Sequence, residues 1–240
     1  DGRKLLNGID DDRIRYIVNP CRVGLITQRN QGLAAARADL VAIHDADDIA
    51  ESSRLRKQID YLADHPEIGV VGSQIRVVDD CGTLCGFRRF PESPADILAA
   101  MPHFVPLSHP SILYRKSVVM EAGGYQNTVH PHVDDYELWS RLAKRGVNMA
   151  NMPEPLIRYR IHPEMGKVRK LREVIQGVLR VKRVYWSESM NWKAQVRMWG
   201  ERCLLLLPAP LVLRLMLYVL YGCGPTTHRH AFSDNTSHGF

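Results

Sequence analysis

Three carboxylates fall within four residues at Asp45, Asp47 and Asp48, directly behind the apolar run Val41-Ala42-Ile43. Acids packed this closely repel one another unless a positive charge sits among them. An isolated Asp-x-Asp commonly caps a following turn, with its neighbours solvated. Here the apolar run reads as a buried strand, and ligands of open α/β sheets bind at the carboxyl ends of strands. Hard divalent ions such as Mg2+ and Mn2+ take carboxylate oxygens and complete their shells with water and substrate phosphates. The spacing therefore predicts a clamp for a metal ion together with a diphosphate. A second acidic pair, Asp134-Asp135, opens the stretch DDYELWSRLAK, where acids in a first helical turn offset the dipole.

The elements that must position these acids are legible in outline. Arg13 to Val18 alternates and ends at Asn19-Pro20, which predicts a short strand and turn. Gln31 to Asp39 is rich in helix formers. Leu40 to Ile43 is the strand that delivers the acids, and Ser52-Ser53 reads as an N-cap for a helix stopped by His65-Pro66. Ile68 to Val71 and Gln74 to Val78 read as two strands with a turn at Asp79 to Gly82. Pro94 to Met101 follows as a short helix and Pro110 to Tyr114 as a strand. Asp134 to Lys144 is a helix ended by Gly146. Strands alternating with helices predict α/β layers around a mixed, mostly parallel sheet.

The run GLITQRNQGLAAARADLVAIHDADD, Gly24 to Asp48, is similar to the family-2 glycosyltransferases of the GT-A fold. Further matches follow in the family's order: Arg54-Leu55 with Gln58, His109-Pro110-Ser111, Gly123-Gly124-Tyr125, Asp134-Asp135-Tyr136-Glu137-Leu138-Trp139, and Pro155 to His162. Each motif is short, and the specificity lies in six of them sharing one order across about residues 1–165.

The resemblance implies a GT-A, Rossmann-like nucleotide-sugar transferase over 1–165 and a C-terminal helical extension over 166–240. It implies that Asp45 faces the nucleotide ribose and that Asp47 ligates a Mg2+ or Mn2+ ion bridging the donor diphosphate. His162 matches a late histidine that completes the metal site in some members, and Arg29 and Asn30 sit where the family approaches the nucleotide. Asp135 becomes the general base, with Asp134 standing in the place of the family's Glu. Asp1-Gly2 matches the end of an Asp-Asp-Gly-Ser nucleotide loop, and the family's first strand precedes the segment seen here. Ser53 replaces the Pro that often precedes Arg-Leu. The implied activity is metal-dependent, inverting transfer of a sugar from a nucleotide-diphosphate donor to a glycan or lipid-linked hydroxyl acceptor, in bacterial surface polysaccharide synthesis. A non-catalytic remnant is the alternative, and after it a nucleotidyltransferase, for which no Gly-rich phosphate loop is found.

Charge divides the 240 residues unevenly. Residues 1–165 carry 20 Lys/Arg against 22 Asp/Glu, whereas residues 166–202 carry 10 against 3. Three of the four tryptophans, Trp186, Trp192 and Trp199, lie in this basic strip. Leu171, Val174, Ile175, Val178 and Leu179 keep a helical rhythm, and an apolar stretch follows from Cys203 to Tyr221. Basic residues with aromatics suit nucleic acid, but no nucleic-acid module accompanies them. Basic helix, tryptophan and apolar stretch together predict an anionic membrane surface as partner. A full span is not expected, because Pro208, Pro210 and Arg214 interrupt the run and Leu211 to Tyr221 falls short of the roughly 20 residues needed. The five cysteines form no pairing or zinc pattern and fit a reducing cytosol. The expected location is thus cytoplasmic, peripheral on the inner face of the membrane.

Overall fold

The computed structural model describes residue 9 and residues 11–162 and 170–221. The elements are α1 (Leu25–Ala35), β1 (Leu40–Ala42), β2 (Ile49–Ala50), α2 (Arg54–Asp64), β3 (Ile68–Val78), β4 (Leu84–Arg88) and α3 (Pro94–Ala100). A 3-10 turn (His109–Ser111) then leads into β5 (Leu113–Arg115), α4 (Lys116–Glu121), α5 (Asp134–Lys144) and β6 (Asn148–Arg160). The C-terminal helices are α6 (Leu171–Trp186), α7 (Trp192–Leu204) and α8 (Ala209–Tyr221).

One mixed sheet runs β1-β5-β3-β6-β2, with β4 paired to the far half of β3. β3 is its centre, buried along almost its whole length. Successive side chains of a strand face opposite sides. Val70 accordingly joins Tyr136, Leu138, Trp139 and Leu142 of α5 in the main core. Val71 joins Leu62 of α2 and Ala150 of β6 on the other face. Helices flank both sides, in agreement with the α/β layering expected of a GT-A protein.

Several sequence expectations are corrected. Among the described residues only β3 with β6 is parallel, and the other four pairings are antiparallel, so the sheet is mixed but not mostly parallel. Hydrophobic pattern alone does not encode strand direction. Residues 13–18 form no strand, and Ile14, Tyr16, Ile17 and Val18 are exposed. An alternating segment becomes a strand only with a hydrogen-bonding neighbour, and none of the described strands pairs with it.

α1 starts six residues before the predicted Gln31 and stops at Ala35. Its last carbonyls are met by cations, Lys116 Nζ at Ala36 O (2.6 Å) and Arg15 Nη1 at Ala35 O (2.7 Å), which suits the negative end of a helix. The two strands predicted at 68–71 and 74–78 are one continuous β3. The strand predicted from Pro110 starts at Leu113, after the 3-10 turn. Ser53 occupies the cap position of α2 without a side-chain cap bond. β6 carries two prolines, Pro153 and Pro155. The ladder slips between Met152 and Pro155, where residues lacking an N–H are tolerated.

Candidate active site

The acids at 45–48 occupy the turn between β1 and β2. β1 holds its end of the turn through β5, and Ile43 N continues the ladder by donating to Ile112 O at 2.9 Å. β2 pairs antiparallel with the end of β6, Ile49 opposite Arg158. Stepping back along one strand while stepping forward along the other brings Asp47 to Arg160 and His162. The contacts follow: Asp48 Oδ1 accepts from Arg160 N (2.9 Å), Asp47 O accepts from Arg160 Nε (3.0 Å), and His162 Nε2 lies 3.1 Å from Asp47 Oδ2. The carboxylates of Asp45, Asp47 and Asp48 each offer an oxygen within 4.8 Å of the others. Asp48 is buried, Asp45 half-buried and Asp47 exposed. Asp48 is thus the structural acid of the three, and Asp47 the one presented outward beside a histidine.

Two side chains brace this turn from below. Arg54, at the start of α2, is 2% exposed. Its Nη2 donates to Ile43 O (2.7 Å) and Ile112 O (3.1 Å), and its Nε donates to Gln58 Oε1 (3.0 Å). Gln58 in turn donates to Ser111 O (2.8 Å) and Val71 O (3.2 Å). Burial lowers the Arg54 pKa to about 10, still well above neutrality, so a cation lies beneath the acids. Arg160 is the third brace, donating from Nη1 to Asp79 O (3.1 Å) and Asp80 O (2.6 Å) of the β3–β4 turn. Sequence reading did not single out Arg54, Gln58 or Arg160 for this work. The motif Arg-Leu-x-x-Gln was visible, but its partners are backbone carbonyls far away in the chain.

A second cluster forms at the N-terminus of α5. Asp134 is buried and pairs with Arg29 from α1. Arg29 Nη2 is 3.4 Å from His109 Nδ1, and His109 Nε2 is 3.0 Å from the Tyr125 hydroxyl. Burial and then the charge of Asp135 push the Asp134 carboxyl up, while Arg29 opposes them. Burial alone would depress Arg29, but Asp134 and Asp135 outweigh it and raise its pKa. Asp135 is only half-buried, and its Oδ1 accepts from Tyr136 N at 2.8 Å. The buried acid is therefore locked to an arginine, and the half-buried one stands beside it at the helix N-terminus.

Asn30 is committed within the protein. Its amide donates to Tyr125 O (2.8 Å) and accepts from Tyr125 N (2.9 Å). Gly123 and Gly124 reach this position at φ of 91° and 68°, and a Cβ on Gly124 would sit 2.7 Å from Asn30 Oδ1. The Gly-Gly-Tyr motif is thus the receptor for Asn30, which explains the pairing of two motifs distant in sequence. His109 is buried between Arg29 and Tyr125, and Trp139 is core. The structure brings together Asp45, Asp47 and His162, and separately Arg29 with the Asp134-Asp135 pair. Asp1 lies outside the described residues.

Residues 3–122 match the family model described as Glycosyl transferase family 2. The chain is 34% identical over 148 residues to the amylovoran biosynthesis glycosyltransferase AmsE of Erwinia amylovora, covering 62% of this chain and 54% of that protein. It is 27% identical over 169 residues to the Escherichia coli UDP-Gal:alpha-D-GlcNAc-diphosphoundecaprenol beta-1,3-galactosyltransferase, covering 68% of this chain and 61% of that one. The mannosyltransferase PcManGT of Pyrobaculum calidifontis, solved with GDP-Man and Mn2+, superposes with a TM-score of 0.49 at 17% identity over 89% of this chain and 56% of its own. The chain spans about half the length of the curated relatives it matches.

Proposed function

The chain belongs to glycosyl transferase family 2, and on that premise we propose that the protein transfers a sugar from a nucleotide-diphosphate donor to a hydroxyl acceptor, inverting the anomeric carbon. The observation that carries the reading is the turn at 45–48, with three carboxylate oxygens within 4.8 Å and His162 against Asp47. That donor set, hard oxygens with one imidazole at an exposed edge, fits Mg2+ or Mn2+ held by Asp47 and His162. When bound, such an ion offsets the charge that builds on a departing diphosphate. In this reading Asp45, half-buried beside it, accepts from the ribose hydroxyls of the donor. Arg29, which the family resemblance puts at the nucleotide, is held on Asp134 and in this reading supplies positive charge beside Asp135. Asp1 is retained as a nucleotide contact by family analogy, and Asn30 acts by holding Tyr125.

In this reading Asp135 takes the proton of the acceptor hydroxyl. The acceptor oxygen bonds to the anomeric carbon as the bond from that carbon to the phosphate oxygen breaks, and the nucleoside diphosphate leaves with the electron pair. One displacement inverts the configuration, and no covalent nucleophile is required. The acceptor class is a lipid-linked glycan, since one relative is named for a diphosphoundecaprenol substrate and another for polysaccharide synthesis. The setting follows: the cytoplasmic face of a membrane bearing that lipid.

The test uses labelled nucleotide sugars, Mn2+ and a diphosphate-lipid acceptor. Asp135→Asn is expected to lower transfer by at least about 10²-fold, the contribution of a positioned base, with donor affinity unchanged. Normal transfer by the variant, or loss of donor binding in place of turnover, overturns the assignment.

A further inference from the structure

Helix α7 has two faces of opposite character. Inward, Ala194 is buried, and Glu201 accepts from the fully buried Lys182 of α6 at 2.8 and 2.7 Å. Outward, Trp192 (70% exposed), Val196 and Trp199 (62% exposed) follow at intervals of four and three residues, which places them on one stripe. The exposed Cys203 and Leu206 continue the line beyond them. Helix α8 repeats the arrangement. Val212 packs inward with Leu171, Ile175 and Leu179 of α6. Leu211, Leu215 and Tyr218 form an exposed stripe at the same intervals.

The charges beside these stripes have one sign. Residues 192–221 contain Lys193, Arg197, Arg202 and Arg214, and a single acid, Glu201, which is turned inward to Lys182. Lys193 lies over the Trp192 ring at 5.8 Å and Arg202 over Trp199 at 5.5 Å. Exposed tryptophan flanked by cations matches the boundary between lipid headgroups and acyl chains, where the ring is half-immersed and the cation meets phosphate. A second copy of the chain fits poorly, because a two-fold interface would set this cationic face against itself. No helix among the described residues is long and apolar enough to cross a membrane.

We infer that the outward face of α7 and α8, centred on Trp192, Val196, Trp199, Leu211, Leu215 and Tyr218, is a docking surface for an anionic lipid bilayer. The face extends the membrane setting proposed above, and its evidence is independent of any transfer chemistry. It is also coupled to the candidate site. α6, which holds α7 through Lys182, is bonded to α5 through Tyr185 and Glu137 (2.6 Å) and through Trp186 Nε1 and Ser140 Oγ (3.0 Å). α5 begins with Asp134 and Asp135. A bilayer held on α7 is therefore linked through α6 to the helix that carries Asp135.

The experiment takes the full chain and vesicles of phosphatidylcholine with or without phosphatidylglycerol. Of the four tryptophans, Trp139 and Trp186 are buried, so changes in emission report on Trp192 and Trp199. Co-sedimentation with the phosphatidylglycerol vesicles and a blue shift of emission are expected, both weakened by salt. The triple variant Trp192→Ser, Val196→Ser, Trp199→Ser should bind at least about tenfold more weakly, from the lost apolar burial, with unchanged thermal unfolding. Lys193→Gln with Arg214→Gln should bind more weakly and lose part of the salt dependence. Absence of co-sedimentation, unshifted emission or undiminished binding by the triple variant overturns the surface. So does concentration-dependent dimerisation that the triple variant abolishes while vesicles are ignored. Vesicle binding without sugar transfer supports this face and removes the catalytic reading, and transfer to a soluble acceptor without vesicle binding does the reverse.

Discussion

Asp47 is exposed and Asp48 is buried, although they are neighbours of identical chemistry. The difference assigns their work: Asp48 receives the Arg160 backbone N–H and fixes the turn, and Asp47 meets His162 and solvent. Asp47→Asn should therefore abolish Mn2+-dependent binding of a nucleoside diphosphate while leaving the melting temperature near that of the parent. Calorimetry with and without Mn2+ checks this, and identical titrations for parent and variant would refute it. Arg54 makes a complementary case. Its guanidinium is buried and serves the backbone of Ile43 and Ile112, beside β1 and β5, and Gln58 at once. Arg54→Met strands buried carbonyls, each costing about 1–3 kcal/mol, and loosens the acidic turn. Urea unfolding should show the loss, and Mn2+-dependent nucleotide affinity should fall with it. Arg54→Lys, which keeps the charge but not the planar fork, should recover stability in part and affinity less. Unchanged affinity in both variants would separate Arg54 from the site.

At the scale of elements, the site depends on a two-residue strand. β2 is held to β6 by its ladder and by Glu51, whose Oε1 accepts from Arg76 Nη1 (2.8 Å) and Arg158 Nε (3.0 Å). The bond from Arg158, against a smaller effect of burial, holds the Glu51 carboxyl below its ordinary value. A carboxyl lowered in the folded state contributes stability above its unfolded pKa and loses that contribution as pH falls through the folded one. Acid unfolding of the parent should therefore have a component that Glu51→Gln lacks, so the two stability curves converge at acid pH and separate towards neutrality. Denaturant midpoints across acid pH measure it, and parallel curves would show that the tie contributes nothing. The same elements show where pattern fails. A proline removes a ladder donor, yet β6 absorbs Pro153 and Pro155 at a register slip, where no pattern in the sequence marks a strand.

At the scale of the whole molecule, α6 belongs to the same core as the sheet. Val181 and Trp186 cluster with Tyr136 and Trp139 of α5, and Gly177 passes so close to His130 that a Cβ would lie 2.8 Å from its Nδ1. The segment beyond residue 165 is therefore packed into the core at its first helix and presents exposed stripes on its last two. Trp186→Ala should cost about 3–5 kcal/mol, the usual penalty for an emptied aromatic site in a core. The loss should appear in one cooperative transition, monitored by circular dichroism in urea. A separate early transition confined to the C-terminal helices would instead mark them as an independent unit. The Lys144 ammonium 4.4 Å from the Trp186 ring adds a smaller contribution to the same contact.

The acids, the helix they precede and the membership of a glycosyltransferase family were determined by the sequence alone. Residue type and local spacing carry those signals, and they survive without knowledge of any distant contact. α2 and α5 were legible for the same reason, through the His65-Pro66 stop of the one and the first-turn acids and closing Gly146 of the other. α2 nevertheless buries Arg54, Gln58 and Leu62 and leaves Leu55 and Ile59 of its apolar stripe exposed. The tertiary structure decided which acid is buried, which strands run antiparallel, and that Asn30 and Gly124 are made for each other. It also decided that Arg54, Gln58 and Arg160 brace the acidic turn. Each of these rests on hydrogen bonds to backbone groups between 11 and 113 residues away. Every residue offers the same carbonyl and N–H, so nothing in a side-chain pattern records which of them will be the partner.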